Sequence, residues 1–227
     1  MNQRDVQLMR SLMDSIGDID EGGVVLIDVP STQFVRINLI LLKGLLEEMG
    51  RSGIFISVDR PHQYMVHLMR MHRIDLDNVT FIDMINRLSG DRKREQAKVG
   101  FADGPFHIGS LPSGLDEWAS EGTHGLFELS ECGFAMVDNI ATLEVFNRDP
   151  AVKLFVNNFI LLAKSHGNMM VPIVLDKERN QSLYRAAQKL CDVEIRVTHD
   201  LSNANRCSEI EIPKRISEPG FGKEEVE

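Results

Sequence analysis

Short β-branched apolar runs alternate with longer stretches of helical spacing, and this alternation organises most of the chain. Val24-Val25-Leu26-Ile27 reads as a buried strand, Asp28-Val29-Pro30-Ser31-Thr32-Gln33 as a compact loop, and residues 34–49 as a mostly buried helix. In that helix Arg36, Lys43 and Glu47 share one narrow face, while Phe34, Ile37, Leu41, Leu42, Leu45, Leu46 and Met49 cover much of the rest. Gly50-Arg51-Ser52-Gly53 turns the chain into a second strand, 54–58, which ends at Asp59-Arg60-Pro61. Strand, helix and strand on short links mark a parallel βαβ unit.

The same reading extends to both sides. Val6, Met9, Leu12, Met13 and Ile16 recur at helical spacing, predicting an amphipathic helix over 1–16 that docks on its own domain, and the glycine- and acid-rich 17–23 releases the chain into the first strand. A methionine-rich helix over 62–72 contains Tyr64, Met65, Leu68, Met69 and Met71, and its methionines are expected as core filler. Its histidines, His62, His67 and His72, stand five apart. Each is therefore rotated about 140° from the last, unlike a metal-binding pair, and all three are expected at the surface. A third strand, 79–82, closes on Asp83. Residues 87–117, with Arg92-Lys93-Arg94, Lys98, Pro105 and Pro112, predict an irregular, solvated insertion, followed by a helix near 115–121. Strand 134–137 ends in Asp138-Asn139. Pro150 and Gly167 bracket a helix over 151–166. Strand 170–175, helix 181–190 and strand 193–197 follow, 208–212 alternates as an edge strand does, and 218–227 is a loose acidic tail. The expected organisation is an N-terminal helix (1–16), one domain (17–217, with the insertion at 87–117) and a tail (218–227).

Composition adds exclusions. With 43% hydrophobic and 26% charged residues the chain is an ordinary globular one. The net charge of -9 argues against a broad hold on nucleic acid or anionic membrane. Cys132, Cys191 and Cys207 are widely spaced and suggest neither a disulfide framework nor a zinc knuckle; no metal site is expected. No stretch reaches the roughly 18 uninterrupted apolar residues of a spanning helix, and no secretory pattern opens the chain, so a cytoplasmic protein is expected. His124 and Cys132 are near in sequence, which does not make a dyad.

The order of elements, with Asp28 to Val35 between strand and helix, Ile56-Ser57-Val58-Asp59-Arg60-Pro61, Phe81-Ile82-Asp83 and Phe134-Ala135-Met136-Val137-Asp138-Asn139, resembles the RecA superfamily of P-loop ATPases and, within it, the KaiC-like branch common in archaea. The likeness runs from about residue 22 to 215. It implies an α/β three-layer sandwich with a central, mainly parallel sheet, in which strand 171–175 lies between the phosphate-loop strand and the strand that ends at Asp138. By the same resemblance Asp138 stands for the Walker B aspartate, Asp59 for one of two strand-end glutamates, and Lys214 and Arg215 for residues that reach a neighbouring subunit's phosphates.

The chain departs from that family at the phosphate loop. A cradle G-x-x-x-x-G-K-(S/T) needs glycines for an open ring of N–H donors, a lysine for the β and γ phosphates and a hydroxyl for magnesium. Aligned on Pro30, this sequence has Asp28, Ser31 and Gln33 at glycine positions, Thr32 between them, Phe34 for the lysine and Val35 for the hydroxyl. The lost lysine and metal ligand each remove a charge-assisted contact of about 1.5–3 kcal/mol. The expectation is a non-catalytic, pseudo-ATPase interaction or signalling module with no cofactor, oligomeric with itself or with an active paralogue. Asp59 and Asp138 would remain as neighbours lining a remnant pocket at one sheet edge. The alternative is a divergent KaiC-like ATPase that binds ATP and magnesium, with Arg36 or a neighbour's Lys214 and Arg215 supplying the missing charge. A DNA-binding recombinase would draw support only from Arg92-Lys93-Arg94 and Lys98, and no nucleic-acid partner is expected.

Overall fold

The computed structural model describes residues 1–17, 19, 23–85, 98–101, 131–198 and 209–215. Calls on helix 115–121, the tail 218–227, Arg92-Lys93-Arg94, His124 and Cys207 lie outside them.

Among the described residues eight strands form the centre: β1 (Val24–Asp28), β2 (Gly53–Ser57), β3 (Val79–Asp83), β4 (Lys98–Phe101), β5 (Phe134–Val137), β6 (Val171–Leu175), β7 (Val193–Thr198) and β8 (Glu209–Arg215). They pair as β4-β3-β2-β5 and β6-β1-β7-β8, all parallel except β8, which runs antiparallel to β7. A single parallel bridge, Phe134 to Met170, joins the two halves near the N-terminal ends of β5 and β6. The Ala135 N–H donates to Met170 O at 2.9 Å, and the Met170 N–H to Gly133 O at 3.0 Å. β6 thus lies between β1 and β5, as the resemblance implied.

Strand alternation sends the apolar side chains to two opposite cores. Val25, Ile27, Phe55, Phe81 and Met136 face the first, beneath α1 (Gln3–Gly17), α2 (Phe34–Lys43) and α3 (His62–Met71). Val24, Leu26, Ile54, Ile56 and Ile173 face the second, under the short α4 (Leu143–Phe146), α5 (Asp149–Ser165) and α6 (Gln181–Leu190). Because both faces are covered, the strands read as continuous apolar runs. The chain is a three-layer α/β sandwich.

The first helix docks on its own domain. Leu8, Met9, Leu12, Met13 and Ile16 are buried against α2, and each contributes about 1.5–3 kcal/mol by leaving water. α2 continues into a π-helical turn, Gly44–Glu48, with an exposed ion pair between Lys43 and Glu47. Gly44 lets α1 approach, since a Cβ there would stand 2.5 Å from the Met13 sulfur. At the far end of α5, Gly167 takes φ 69° and stops the helix.

Two expectations are corrected. Lys98–Phe101, inside the stretch expected to be irregular, forms edge strand β4 paired with Thr80 to Asp83, because Val99 reaches the core while Lys98 stays in water. His62 is not at the surface but fully buried. Its Nδ1 lies 2.6 Å from Asp83 Oδ2, and its backbone N–H donates to the same oxygen at 2.7 Å. The turn before α3 drives this first-turn side chain down onto the end of β3, where the Asp83 carboxylate matches its polarity.

Candidate functional site

Parallel strands carry their ligand-facing loops at their C-terminal ends. Here β1, β6, β2 and β5 bring Asp28, Asp176, Asp59 and Asp138 to that edge. The loop after β1 begins with the Val29 N–H donating to Leu175 O at 3.0 Å, which extends the ladder by one residue. Pro30 then fixes an extended turn (φ −56°, ψ 137°) into a 3-10 turn, Ser31–Gln33, and the Gln33 N–H closes on Pro30 O at 2.8 Å. α2 starts at Phe34.

One backbone donor of this loop and three of the loop after β6 are held by strand-end carboxylates. The Ser31 N–H donates to Asp176 Oδ2 at 2.8 Å, and Asp176 Oδ1 accepts the N–H groups of Glu178 and Arg179, each at 3.1 Å. Beside it, Asp28 Oδ1 accepts the Lys177 N–H at 3.1 Å, and its Oδ2 accepts Arg196 Nε at 3.1 Å. Phe34 is buried in the first core and Val35 half-buried, while Thr32 is exposed. Arg36 is engaged by Asp5 Oδ1 at 2.8 Å and by Gln33 Oε1 at 3.3 Å.

Asp59 and Asp138 do come together. Asp138 Oδ1 accepts the Val58 N–H at 2.9 Å, and its Oδ2 accepts the Asp59 N–H at 3.2 Å. Burial pushes the Asp138 carboxyl up to about 7, opposed by these N–H bonds and assisted by the Asp59 charge. The Asp59 carboxylate accepts the Thr142 hydroxyl at 3.0 Å and pairs with Arg60 at 3.5 Å, and the Arg60 guanidinium lies 4.9 Å over the Tyr64 ring. Asn38, on α2, donates Nδ2 to the Asp138 carbonyl at 2.6 Å. Between these groups lies a cleft of about 140 Å3, whose walls include Ser31, Thr32, Phe34 and Val35 from the loop side.

Lys214 and Arg215 are elsewhere. Their backbone pairs with Glu194 and Val193 at the start of β7, the sheet edge opposite this chain's own loop. Among the described residues no three His, Cys, Asp or Glu side chains are placed to share a metal ion, and no helix is long and apolar enough to cross a membrane.

Sequence reasoning missed Asp176, Arg196 and Asn38. A signal existed for the first, an acid directly after strand 170–175, which was expected beside the loop strand. Nothing in the pattern singles out the other two.

No protein-family model matches the chain, and no curated protein does. Solved structures do. A KaiC-like protein of the hyperthermophilic archaeon Pyrococcus horikoshii superposes with TM-score 0.59 at 13% identity, over 86% of this chain and 80% of that one. An uncharacterized P. horikoshii protein, solved in complex with an unknown peptide, superposes with TM-score 0.62 at 12% identity, over 91% of this chain and 89% of that one. At such identities the likeness speaks for the fold alone. With the strand order and the covered sheet already described, it establishes the RecA/KaiC-like P-loop NTPase fold for this chain.

Proposed function

We propose that this protein is a non-catalytic member of its fold class, a pseudo-ATPase that serves as an interaction or signalling module. The observation that carries the reading is the Asp176 carboxylate seated on the Ser31 N–H at 2.8 Å. A phosphate cradle must aim such donors at an incoming anion, and here a fixed anion of the protein already holds one. The donor set does not fit Mg-ATP in the usual mode. Phe34, buried in the core, offers no cation, and Val35 offers no hydroxyl to a metal. The loop is thus a degenerate Walker A element, and Asp59 and Asp138 are remnant positions that line a cleft.

The divergent-ATPase alternative takes its cation from Arg36 or from a neighbouring subunit's Lys214 and Arg215, and of these Arg36 is engaged by Asp5 and Gln33. A protein partner, either a second copy or an active paralogue, fits the interaction role; a structural neighbour with a bound peptide lends the same fold a precedent for that ligand class. The apolar stripe of α1 is packed on its own domain.

Isothermal titration and thermal unfolding with Mg-ATP test the proposal. The expected result is no saturable heat and no shift in Tm, whereas a ligand at a hundred times its Kd would add about 2.7 kcal/mol of stability. Micromolar binding would overturn the reading.

A further inference from the structure

The cleft beside Asp138 has an uneven polar lining. At about 140 Å3 it is well above the roughly 10–15 Å3 that one water molecule needs. Asn38 is 2% exposed, and its Nδ2 donates to the Asp138 carbonyl at 2.6 Å. A carbonyl can only accept, so this bond fixes which prong of the amide is nitrogen and leaves Oδ1 as the other. Among the described residues that Oδ1 is buried with no hydrogen-bond partner, and the Oδ1 of Asn139, on the same cleft, is in the same position. A buried acceptor in this state is costly and calls for a donor.

Charge points the same way. Two carboxylates, Asp59 and Asp138, border the cleft, and among its described lining residues the one fixed cation is Arg60, which pairs with Asp59 and lies over Tyr64. The rest of the wall is mixed, with Phe34, Val35, Phe55 and Met65 giving an apolar part beside the hydroxyl residues Ser31, Thr32, Ser57 and Tyr64. A phosphate would meet acceptors and carboxylates here. A cation on a hydrocarbon stem would meet matched partners at both ends.

We propose that this cleft is a binding site for an alkyl ammonium group, whose three N–H donors meet Asn38 Oδ1, Asn139 Oδ1 and the Asp59 carboxylate while its stem lies against Phe34, Val35 and Met65. A free primary amine and a lysine side chain of a bound peptide share this chemistry. The inference deepens the proposed interaction role and rests on that reading, since Mg-ATP would compete for the same space.

The test is an amide-correlation NMR titration of the full-length protein in four separate arms: butylammonium, Nα-acetyl-lysine amide, 1-butanol and Mg-ATP. Saturable shifts at Asn38, Ser57 and Tyr64 are expected from either or both amines at millimolar concentration, and the arm that binds more tightly identifies the source. Butanol, which keeps the stem but not the charge, should bind about tenfold more weakly or not at all. Asp59→Asn, at a half-exposed position where the fold is not at risk, should weaken amine binding about tenfold; Asn38→Leu should abolish it. No response to either amine, equal binding of butanol, or an unchanged affinity in Asp59→Asn overturns the proposal. Saturable shifts from Mg-ATP would instead overturn the pseudo-ATPase reading, whatever the amines do.

Discussion

Two pairs of strand-end carboxylates sit on the same sheet edge, each with donors of its own but in different surroundings. Asp28 and Asp176, at the ends of β1 and β6, are matched by the N–H groups of Ser31, Lys177, Glu178 and Arg179 and by the Arg196 guanidinium. Asp59 and Asp138, at the ends of β2 and β5, border a cleft in which two amide oxygens have no donor among the described residues. The first pair closes its side of the edge with protein groups, as a bound anion would. The second leaves its side open and acceptor-rich. A carboxylate from the neighbouring strand thus takes up a backbone donor of the loop between β1 and α2, while a cleft stays open beside it.

The contrast can be broken most forcefully at Asp176. Asp176→Ala leaves three inward-facing N–H groups without their acceptor and should cost about 3 kcal/mol in urea unfolding, with faster hydrogen exchange at Ser31. A loss well under about 1 kcal/mol would mean that water replaces the carboxylate freely and the edge is not closed.

Asp138 gives an effect of similar total size, spread over a pH range. Its folded pKa of about 7 lies above the ordinary 3.8, so between these values the native state keeps a proton that the unfolded chain has released. Stability should therefore fall by on the order of 1 kcal/mol per pH unit as pH rises through that window, and level off above it. In Asp138→Asn the slope should vanish. A slope that survives the substitution would assign the proton to another group.

Arg196→Gln removes the guanidinium from Asp28, leaving its Lys177 N–H bond in place. The Arg196 side chain is 35% exposed, so the loss should be about 0.5–1 kcal/mol and shrink in high salt. Smallest of all, Asp59→Asn should change stability by no more than about 0.5 kcal/mol, because its partners lie at the solvent-facing rim of the cleft. Stability losses of equal size in Asp59→Asn and Asp176→Ala would erase the distinction between the two pairs.

Much of the fold was legible in the chain because its signals are local. The runs at Val24 to Ile27 and Phe134 to Val137 are apolar throughout and too short for helices, the first β-branched as well, and Pro150 and Gly167 mark where α5 starts and stops. The loop's departures at Ser31, Gln33, Phe34 and Val35 were equally visible. His62 was misread because a five-residue spacing describes only its own helix, whereas its burial comes from Asp83, 21 positions on, at the end of a neighbouring strand. Lys98–Phe101 was missed because one buried apolar side chain, Val99, next to a buried glycine, is too weak a pattern to distinguish a strand from a loop.

By itself the sequence determined the alternation of strands and helices and the covered sheet, because periodicity and residue chemistry are properties of neighbouring positions. Which groups took over the loop was decided by tertiary structure. Asp176 meets Ser31 across 145 positions, and Asn38 meets the Asp138 carbonyl across 100, only because β6 inserts between β1 and β5 and α2 lies over that junction. Hydrogen bonds act over about 3 Å, so pairings at such separations along the chain are set by how the strands are ordered in the sheet, not by the spacing of residues.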